Sequence, residues 1–117
     1  MELTPGKAFY DRQIAACEAQ DMDALMAQYH SDAELVGFDF PVKKGQEAIR
    51  SHMQAYLARL GTLRLQSTDK FIESEDSIFF EATITTSIGE ARVYDVFLLR
   101  AGKATHHFTG VISVRPL

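Results

Sequence analysis

The stretch Arg92-Val93-Tyr94-Asp95-Val96-Phe97-Leu98-Leu99 decides how the rest of the chain is interpreted. It is an almost unbroken run of β-branched, aromatic and other apolar residues, which is typical of a β-strand. Its one acid is Asp95, and an ionised carboxylate buried among apolar groups costs several kcal/mol unless a partner compensates it. The side chain therefore either faces solvent or lies in a pocket where the fold gives it a partner and a use.

The composition predicts one globular domain over residues 1–117, long enough to bury a core without disulfide or metal cross-links. Hydrophobic residues make up 46% and charged residues 24% of the chain, and the formal charge of −4 argues against a basic surface for nucleic acid or anionic membranes. The lone Cys17 excludes an internal disulfide, and its helical setting predicts a buried, unreactive thiol. No apolar run approaches the ~20 residues of a membrane-spanning helix, so a cytoplasmic location is expected.

Residues before Gly61 show helical periodicity, interrupted by one short strand. Thr4 followed by Pro5 is a typical helix start, and Asp21 can cap a second helix. The predicted segments are a first helix that begins at Thr4-Pro5 and ends before Gln20-Asp21, a short helix from Met22 to Tyr29, a turn at 30–32, a strand over 33–38, a loop over 39–45 and a third helix from Gln46 to Leu60.

Residues after Gly61 alternate with period two, which predicts strands over 62–73, 77–87, through Asp95 to about Arg100, and 104–114, joined by short turns. The fold class is therefore α+β: three N-terminal helices packed on one face of a curved, mainly antiparallel sheet. A chain this short cannot close its helices completely over a curved sheet, so a cone with an apolar cavity is expected. The outer sheet face stays partly apolar, which predicts a homodimer through that face.

Three segments together resemble the nuclear transport factor 2-like superfamily. They are Tyr29-His30-Ser31-Asp32-Ala33-Glu34-Leu35, Lys44-Gly45-Gln46-Glu47-Ala48-Ile49-Arg50 at the start of the third helix, and Asp95-Val96-Phe97 on the fourth strand. The chain looks closest to the ketosteroid isomerase and SnoaL-like polyketide cyclase branches, over nearly all of its length. The resemblance implies a cystatin-like α+β cone with an apolar pocket. It does not define the reaction, because this scaffold carries several unrelated activities.

The match to ketosteroid isomerase is partial at the residues that carry its chemistry. Asp95 falls where that enzyme keeps a protonated aspartic acid in its oxyanion hole, and Tyr29 falls on a tyrosine of the supporting network. Gly37 stands at the place of the general-base aspartate, and Gln13 at the place of the oxyanion-hole tyrosine. Steroid isomerisation by that mechanism is therefore not expected.

Asp39 and Tyr10 are candidate replacements for these missing groups. Asp39 would share a face with Gly37 if the first strand continued past it, and would otherwise be a loop residue. Tyr10 lies about one helical turn before Gln13, so its hydroxyl could reach the same part of the pocket.

The inner faces of the last two strands supply further candidates. Alternation puts Phe97 beside Asp95, and registering the last hairpin on the family pattern directs His107 and Thr109 into the cavity. His107 beside Asp95 would form an acid–base pair, or would be a histidine that only satisfies the aspartate. Both interpretations remain open from the residues alone.

The third helix adds Tyr56, whose hydroxyl is expected at the cavity, and His52 one turn earlier at its rim. The candidate catalytic residues are thus Asp95, His107 and Asp39, and the candidate ligand-binding residues are Tyr10, Gln13, Tyr29, Tyr56, Phe97 and Thr109. No metal site with credible ligand spacing and no nucleotide-binding motif is present, so no cofactor is expected.

Two functions of different classes fit these residues. One is an enzyme that uses Asp95 for proton transfer next to the carbonyl of an apolar, polyketide-like substrate, in an isomerisation, cyclisation or dehydration. The other is a non-catalytic module that binds a small ligand or dimerises; the missing base and tyrosine favour it, whereas the retained Asp95 favours the enzyme. An epoxide hydrolase of the same superfamily, with an Asp-Arg-Asp set, fits less well because Arg92 and Asp95 point to opposite strand faces.

Overall fold

The computed structural model of the protein describes residues 3–117, which form three helices and six strands. The helices are α1 (Pro5–Ala19), α2 (Met22–Met26) and α3 (Gln46–Leu60). The strands are β1 (Tyr29–Gly37), β2 (Lys43–Lys44), β3 (Leu63–Glu73), β4 (Ser77–Thr86), β5 (Gly89–Arg100) and β6 (Lys103–Pro116). Within this described range, no helix has the length and apolar character needed to cross a membrane.

All six strands belong to one sheet with the order β2-β1-β6-β5-β4-β3. Consecutive strands from β3 to β6 pair antiparallel, as predicted, whereas β1 pairs parallel to β6. The predicted α+β class with a mainly antiparallel sheet is therefore confirmed. Because β5 and β6 lie in the middle of the sheet, inward side chains near their centres, such as Phe97 and His107, are shielded from solvent.

The predicted boundaries are wrong between α2 and β1. The second helix ends at Met26, and Tyr29 is the first residue of β1 instead of the last residue of a helix. The cause is a long-range pairing: the Ala104 N–H donates to the Gln28 carbonyl at 2.7 Å, and Tyr29 pairs with Ala104. This contact with β6 overrides the local helical pattern. Residues 30–32, predicted as a turn, are part of β1 for the same reason.

The other bounds agree with the sequence patterns within a few residues. The two-residue β2 lies inside the predicted loop over 39–45, where the chain pairs antiparallel with β1. Thr4 caps α1, since its hydroxyl accepts from the Lys7 N–H at 3.1 Å, and Pro5 occupies a position that needs no N–H. Gly61 ends α3 with a φ of 77°, a conformation that would strain other residues.

The hydrophobic core lies between the helices and the inner face of the sheet. The inward residues of β4, predicted to share one side, are all buried: Ile78, Phe80, Ala82 and Ile84. Phe9 of α1 and Phe97 of β5 are fully buried beside them. These side chains do not fill the whole space under α1 and α3, and the remaining space is a cavity.

Candidate active site

A cavity of about 300 Å³ lies between α1, α3 and the inner face of the sheet. Its wall is mostly apolar, with aromatic rings such as Phe80 and Phe97 on the sheet side. Polar side chains reach it from the central strands, from the two long helices and from the loop after β1. An apolar chamber with a few placed polar groups is typical of small-molecule sites.

Asp95 and His107 form a buried pair on the sheet side of the cavity. In the β5–β6 register Asp95 lies opposite Thr109 and His107 lies opposite Phe97. His107 Nε2 is 2.6 Å from Asp95 Oδ1, and the side chains are only 5% and 13% exposed. No other hydrogen bond to the Asp95 side chain occurs among residues 3–117, so its second oxygen is available to a ligand in the cavity.

A chain of hydrogen bonds behind His107 fixes its tautomer. The Tyr29 hydroxyl is 2.8 Å from His107 Nδ1, and Gln13 Nε2 donates to the Tyr29 oxygen at 3.5 Å. Gln28 holds Gln13 in this orientation, because its Nε2 donates to Gln13 Oε1 at 3.4 Å and to the Phe9 carbonyl at 2.9 Å. Because Gln13 presents an N–H to the Tyr29 oxygen, His107 Nδ1 is the acceptor left for the Tyr29 proton among the described residues. His107 therefore carries its proton on Nε2 and donates it to Asp95.

The tyrosine in this chain stays a neutral donor. Tyr29 is 1% exposed, and burial is the main cause that raises the pKa of its hydroxyl. The direction of the hydrogen bonds consequently runs from the core toward Asp95, which leaves the carboxyl group as the final acceptor.

Phe97 holds the plane of the imidazole. The ring centroids of Phe97 and His107 are 3.9 Å apart, with 21° between the planes. Phe9 and Tyr29 pack against Phe97 in turn, at centroid distances of 4.9 and 6.4 Å. Packing and hydrogen bonding thus both restrict the orientation of the His107 ring.

On the opposite side, α3 presents three polar side chains along one face. His52, Tyr56 and Arg59 follow the spacing i, i+4, i+7 and all line the cavity. The His52 and Tyr56 rings are nearly parallel, at 8°, with centroids 6.5 Å apart, and the Arg59 guanidinium lies 5.9 Å from the Tyr56 ring centre. Burial, followed by the charge of Asp95, raises the pKa of Tyr56 to about 12. Tyr56 is therefore protonated at neutral pH.

Cys17 also lines the cavity, one helical turn after Gln13 on α1. The cavity leaves part of its surface accessible, but protein surrounds the thiol on its other sides. Burial, followed by the charges of Asp95 and Glu18, raises the pKa of the Cys17 thiol to about 12. A thiol protonated at neutral pH is a poor nucleophile, in agreement with the sequence-based expectation.

The loop after β1 closes the place at which the resemblance to ketosteroid isomerase would put a general base. The strand ends at Gly37, and a Cβ atom at that position would collide with the ring of Phe40. Phe40 in turn packs on His52, with centroids 4.2 Å apart. Asp39 lies on an exposed bend at the cavity edge. The strand does not continue past Gly37, because the chain bends there to bring Phe40 over Gly37, and Asp39 is the loop residue of the alternative prediction.

Two of the predicted ligand-binding tyrosines lie behind the cavity wall. Tyr10 is 1% exposed, its hydroxyl is 2.5 Å from Thr68 Oγ1, and its ring packs against Phe80. The Tyr29 hydroxyl is already hydrogen-bonded to His107 Nδ1. Neither tyrosine is among the residues that line the cavity. The other four predicted ligand-binding residues do line it: Gln13, Tyr56, Phe97 and Thr109.

Two polar lining residues, Cys17 and Arg59, were not predicted as such, although helical spacing could have indicated them. Cys17 follows Gln13 by four residues, and Arg59 follows Tyr56 by three, so each shares a face with a predicted site residue. Arg92 lies elsewhere: its Nη2 is 2.7 Å from Glu81 Oε1, and it forms no Asp-Arg-Asp set with Asp95. Among residues 3–117, no three His, Cys, Asp or Glu side chains are placed to hold a metal ion.

Similarity to known proteins extends over most of the chain. The crystal structure of a candidate ketosteroid isomerase from Kribbella flavida is 10% identical, with 92% of this chain and 78% of that chain covered at a TM-score of 0.77. An NTF2-like protein of unknown function from Burkholderia pseudomallei is 16% identical, with 94% and 92% covered at a TM-score of 0.79. A candidate polyketide cyclase from Sinorhizobium meliloti is 14% identical, with 87% and 93% covered at a TM-score of 0.75.

These likenesses show the fold, at identities too low to carry an activity. Among curated proteins no sequence match is found. A family model described as a SnoaL-like domain matches residues 10–107, a range that includes both Asp95 and His107. The chain therefore belongs to the SnoaL-like domain family.

Proposed function

We propose that the protein catalyses proton transfer next to the carbonyl group of an apolar small molecule, with Asp95 as the acid–base group. The observation that carries this proposal is the free oxygen of Asp95 at an apolar cavity, with the carboxyl group oriented by His107. Carboxylates in water-poor pockets are the groups that enzymes use for such steps. The names of two similar structures, a ketosteroid isomerase and a polyketide cyclase candidate, denote reactions of this kind.

In the proposed step, the free oxygen of Asp95 removes a proton from the carbon next to the carbonyl. The electron pair of the broken C–H bond forms a C=C bond, and the carbonyl π electrons move to the oxygen, which gives an enolate. Return of the proton to another carbon completes an isomerisation. Alternatively, Asp95 delivers the proton to a β-hydroxyl. The hydroxyl then leaves as water while the enolate electrons form the C=C bond, which completes a dehydration. His107 supports both directions, because its Nε2–H donates to the other carboxylate oxygen throughout.

A non-catalytic ligand-binding module of the same fold is the second candidate. The ring of Phe40 over Gly37 favours it, since the place of the isomerase base holds no acid. The two candidates differ in one measurable property, which is whether a bound ketone exchanges its acidic protons with solvent.

Deuterium incorporation into 2-tetralone, an apolar bicyclic ketone with acidic C–H bonds next to its carbonyl, tests the proposal in D₂O by NMR. The protein should accelerate the exchange, and Asp95→Asn should lower the catalysed rate about 10²- to 10⁴-fold, as is usual for loss of a general base. The variant should fold, because the asparagine oxygen can still accept from His107. Asp69→Asn is the matched control, since Asp69 contacts Thr83 on the outer side of the sheet.

If the protein binds 2-tetralone but the ketone exchanges its protons no faster than it does without protein, catalysis is rejected. The non-catalytic binding module then remains as the function. Equal rates for the natural protein and Asp95→Asn would reject the role of Asp95.

We also propose that the protein forms a homodimer through the outer sheet face. Five apolar side chains form a continuous row across five strands on that face: Ile72, Phe79, Val96, Phe108 and Val36. An apolar row of this length is a typical interface core. Sedimentation at micromolar concentration should give a dimer, and Phe108→Lys should give a folded monomer. A monomeric natural protein would contradict the proposal.

A further inference from the structure

Two polar groups on the helix side of the cavity have no partner in the described part of the chain. The Tyr56 hydroxyl and the His52 ring make no hydrogen bond with any of residues 3–117. Within these residues, every side-chain nitrogen or oxygen that is fully enclosed by protein has a hydrogen-bond partner. Their polar atoms are therefore not fully enclosed by protein, and both side chains line the cavity. His107 across the cavity differs, because both of its ring nitrogens are engaged.

The fold holds these two groups in fixed positions. They lie one turn apart on α3, with their rings nearly parallel. Phe40 packs on His52 at a centroid distance of 4.2 Å. The Phe40 ring lies directly over Gly37, where there is no side chain to displace it. Fixed donors facing an apolar chamber can orient a ligand with little loss of conformational freedom.

Burial is the main cause that favours the uncharged form of both groups. Burial lowers the pKa of His52, and the neighbouring Lys43, Arg59 and His107 lower it further, against the opposing effect of Asp39. Tyr56 is protonated, as described above. An O–H and an N–H donor of this kind suit an oxygen atom that becomes partly negative during reaction, such as a carbonyl oxygen.

We propose that His52 and Tyr56 form an oxygen-binding subsite, so that the carbonyl oxygen of the ligand lies against α3 and its acidic carbon against Asp95. This inference rests on the proposed function and narrows its substrate class to apolar ketones with an acidic C–H bond next to the carbonyl group. Tyr56 donates to the oxygen as charge develops there, while Asp95 takes the proton. The arrangement assigns the two halves of the reaction to opposite walls of the cavity.

Binding of 2-tetralone and of tetralin, its analogue without the oxygen, tests the subsite without requiring catalysis. Tyr56→Phe and His52→Phe keep the rings and remove the polar atoms. Each should weaken 2-tetralone binding about 2- to 12-fold, the usual range for one neutral hydrogen bond, and should leave tetralin binding unchanged. In ¹³C NMR, the carbonyl carbon of bound 2-tetralone should move upfield in Tyr56→Phe because a hydrogen bond is lost. Tyr94→Phe is the matched control, since Tyr94 packs over Gly110 and does not line the cavity.

Unchanged ketone affinity and carbonyl shift in both α3 variants would overturn the subsite. A carbonyl shift that changes in Asp95→Asn instead would place the oxygen on the sheet side, and would also overturn it, while the exchange experiment still decides whether Asp95 is the base. Failure of the natural protein to bind either compound would overturn the subsite together with the proposed ligand class.

Discussion

Replacing His107 with leucine should destabilise the protein by about 3 kcal/mol, the upper part of the usual loss when a buried hydrogen-bonding group is left without its partner, because one of the groups left behind is a carboxylate. The leucine fills much of the same volume but leaves the Asp95 carboxylate without its donor and the Tyr29 hydroxyl without its acceptor. The Tyr29 hydroxyl is closed to water, and the Asp95 side chain is only 13% exposed, at the cavity, so water replaces the lost hydrogen bonds incompletely. Urea unfolding followed by circular dichroism measures the loss.

The neighbouring histidine provides a matched control. His106 points to the outer face and lies 3.9 Å from Glu34, with both side chains more than a third exposed. His106→Leu should therefore cost less than about 1 kcal/mol. The double variant His107→Leu with Asp95→Asn should recover part of the loss, because a neutral amide is less costly to bury than an unpaired carboxylate. Equal losses for His107→Leu and His106→Leu would contradict the coupling between His107 and Asp95.

The elements that the sequence predicts well are those in which local pattern and tertiary packing agree. Long periodic segments such as α3 and β4 have their apolar residues at the spacing that the core requires. The segment from α2 to β1 was predicted poorly because its structure depends on residues far along the chain. The sequence around Tyr29 has a helical pattern, but Tyr29 pairs with Ala104 of β6 and is therefore part of a strand.

In the candidate site too, local pattern predicts some residues, whereas others depend on contacts with distant parts of the chain. Asp95 and Phe97 could be assigned to the cavity because alternation along a strand leaves only two possible faces. The contact of Asp95 with His107 required the register of the last hairpin, which the family resemblance supplied. No spacing rule could show that Phe40 folds over Gly37, since that contact depends on a bend in an irregular loop. Tyr10 was misplaced because the direction of a helical side chain depends on how the helix packs.

Replacing Phe97 with alanine should destabilise the protein by about 3–5 kcal/mol, as is usual for a fully buried phenylalanine. The ring is 0% exposed and contacts three other aromatic groups besides His107, so its loss leaves a hole that the rigid central strands cannot close. The new space joins the natural cavity and frees the imidazole on which the ring stacks. Exchange of 2-tetralone should therefore fall even under conditions where the variant remains folded.

Two variants separate packing from chemistry at this position. Phe97→Leu keeps most of the buried volume and should lose less stability than Phe97→Ala, while it still removes the flat surface beneath His107. Phe38→Ala removes the same ring from a site that is 67% exposed and should change stability by less than about 0.5 kcal/mol. Thermal unfolding gives the stabilities, and the line width of the His107 ring signals in NMR reports its freedom. A Phe97→Ala variant as stable as Phe38→Ala would contradict the packing described for the β5–β6 centre, and with it the orientation of the proposed acid–base pair.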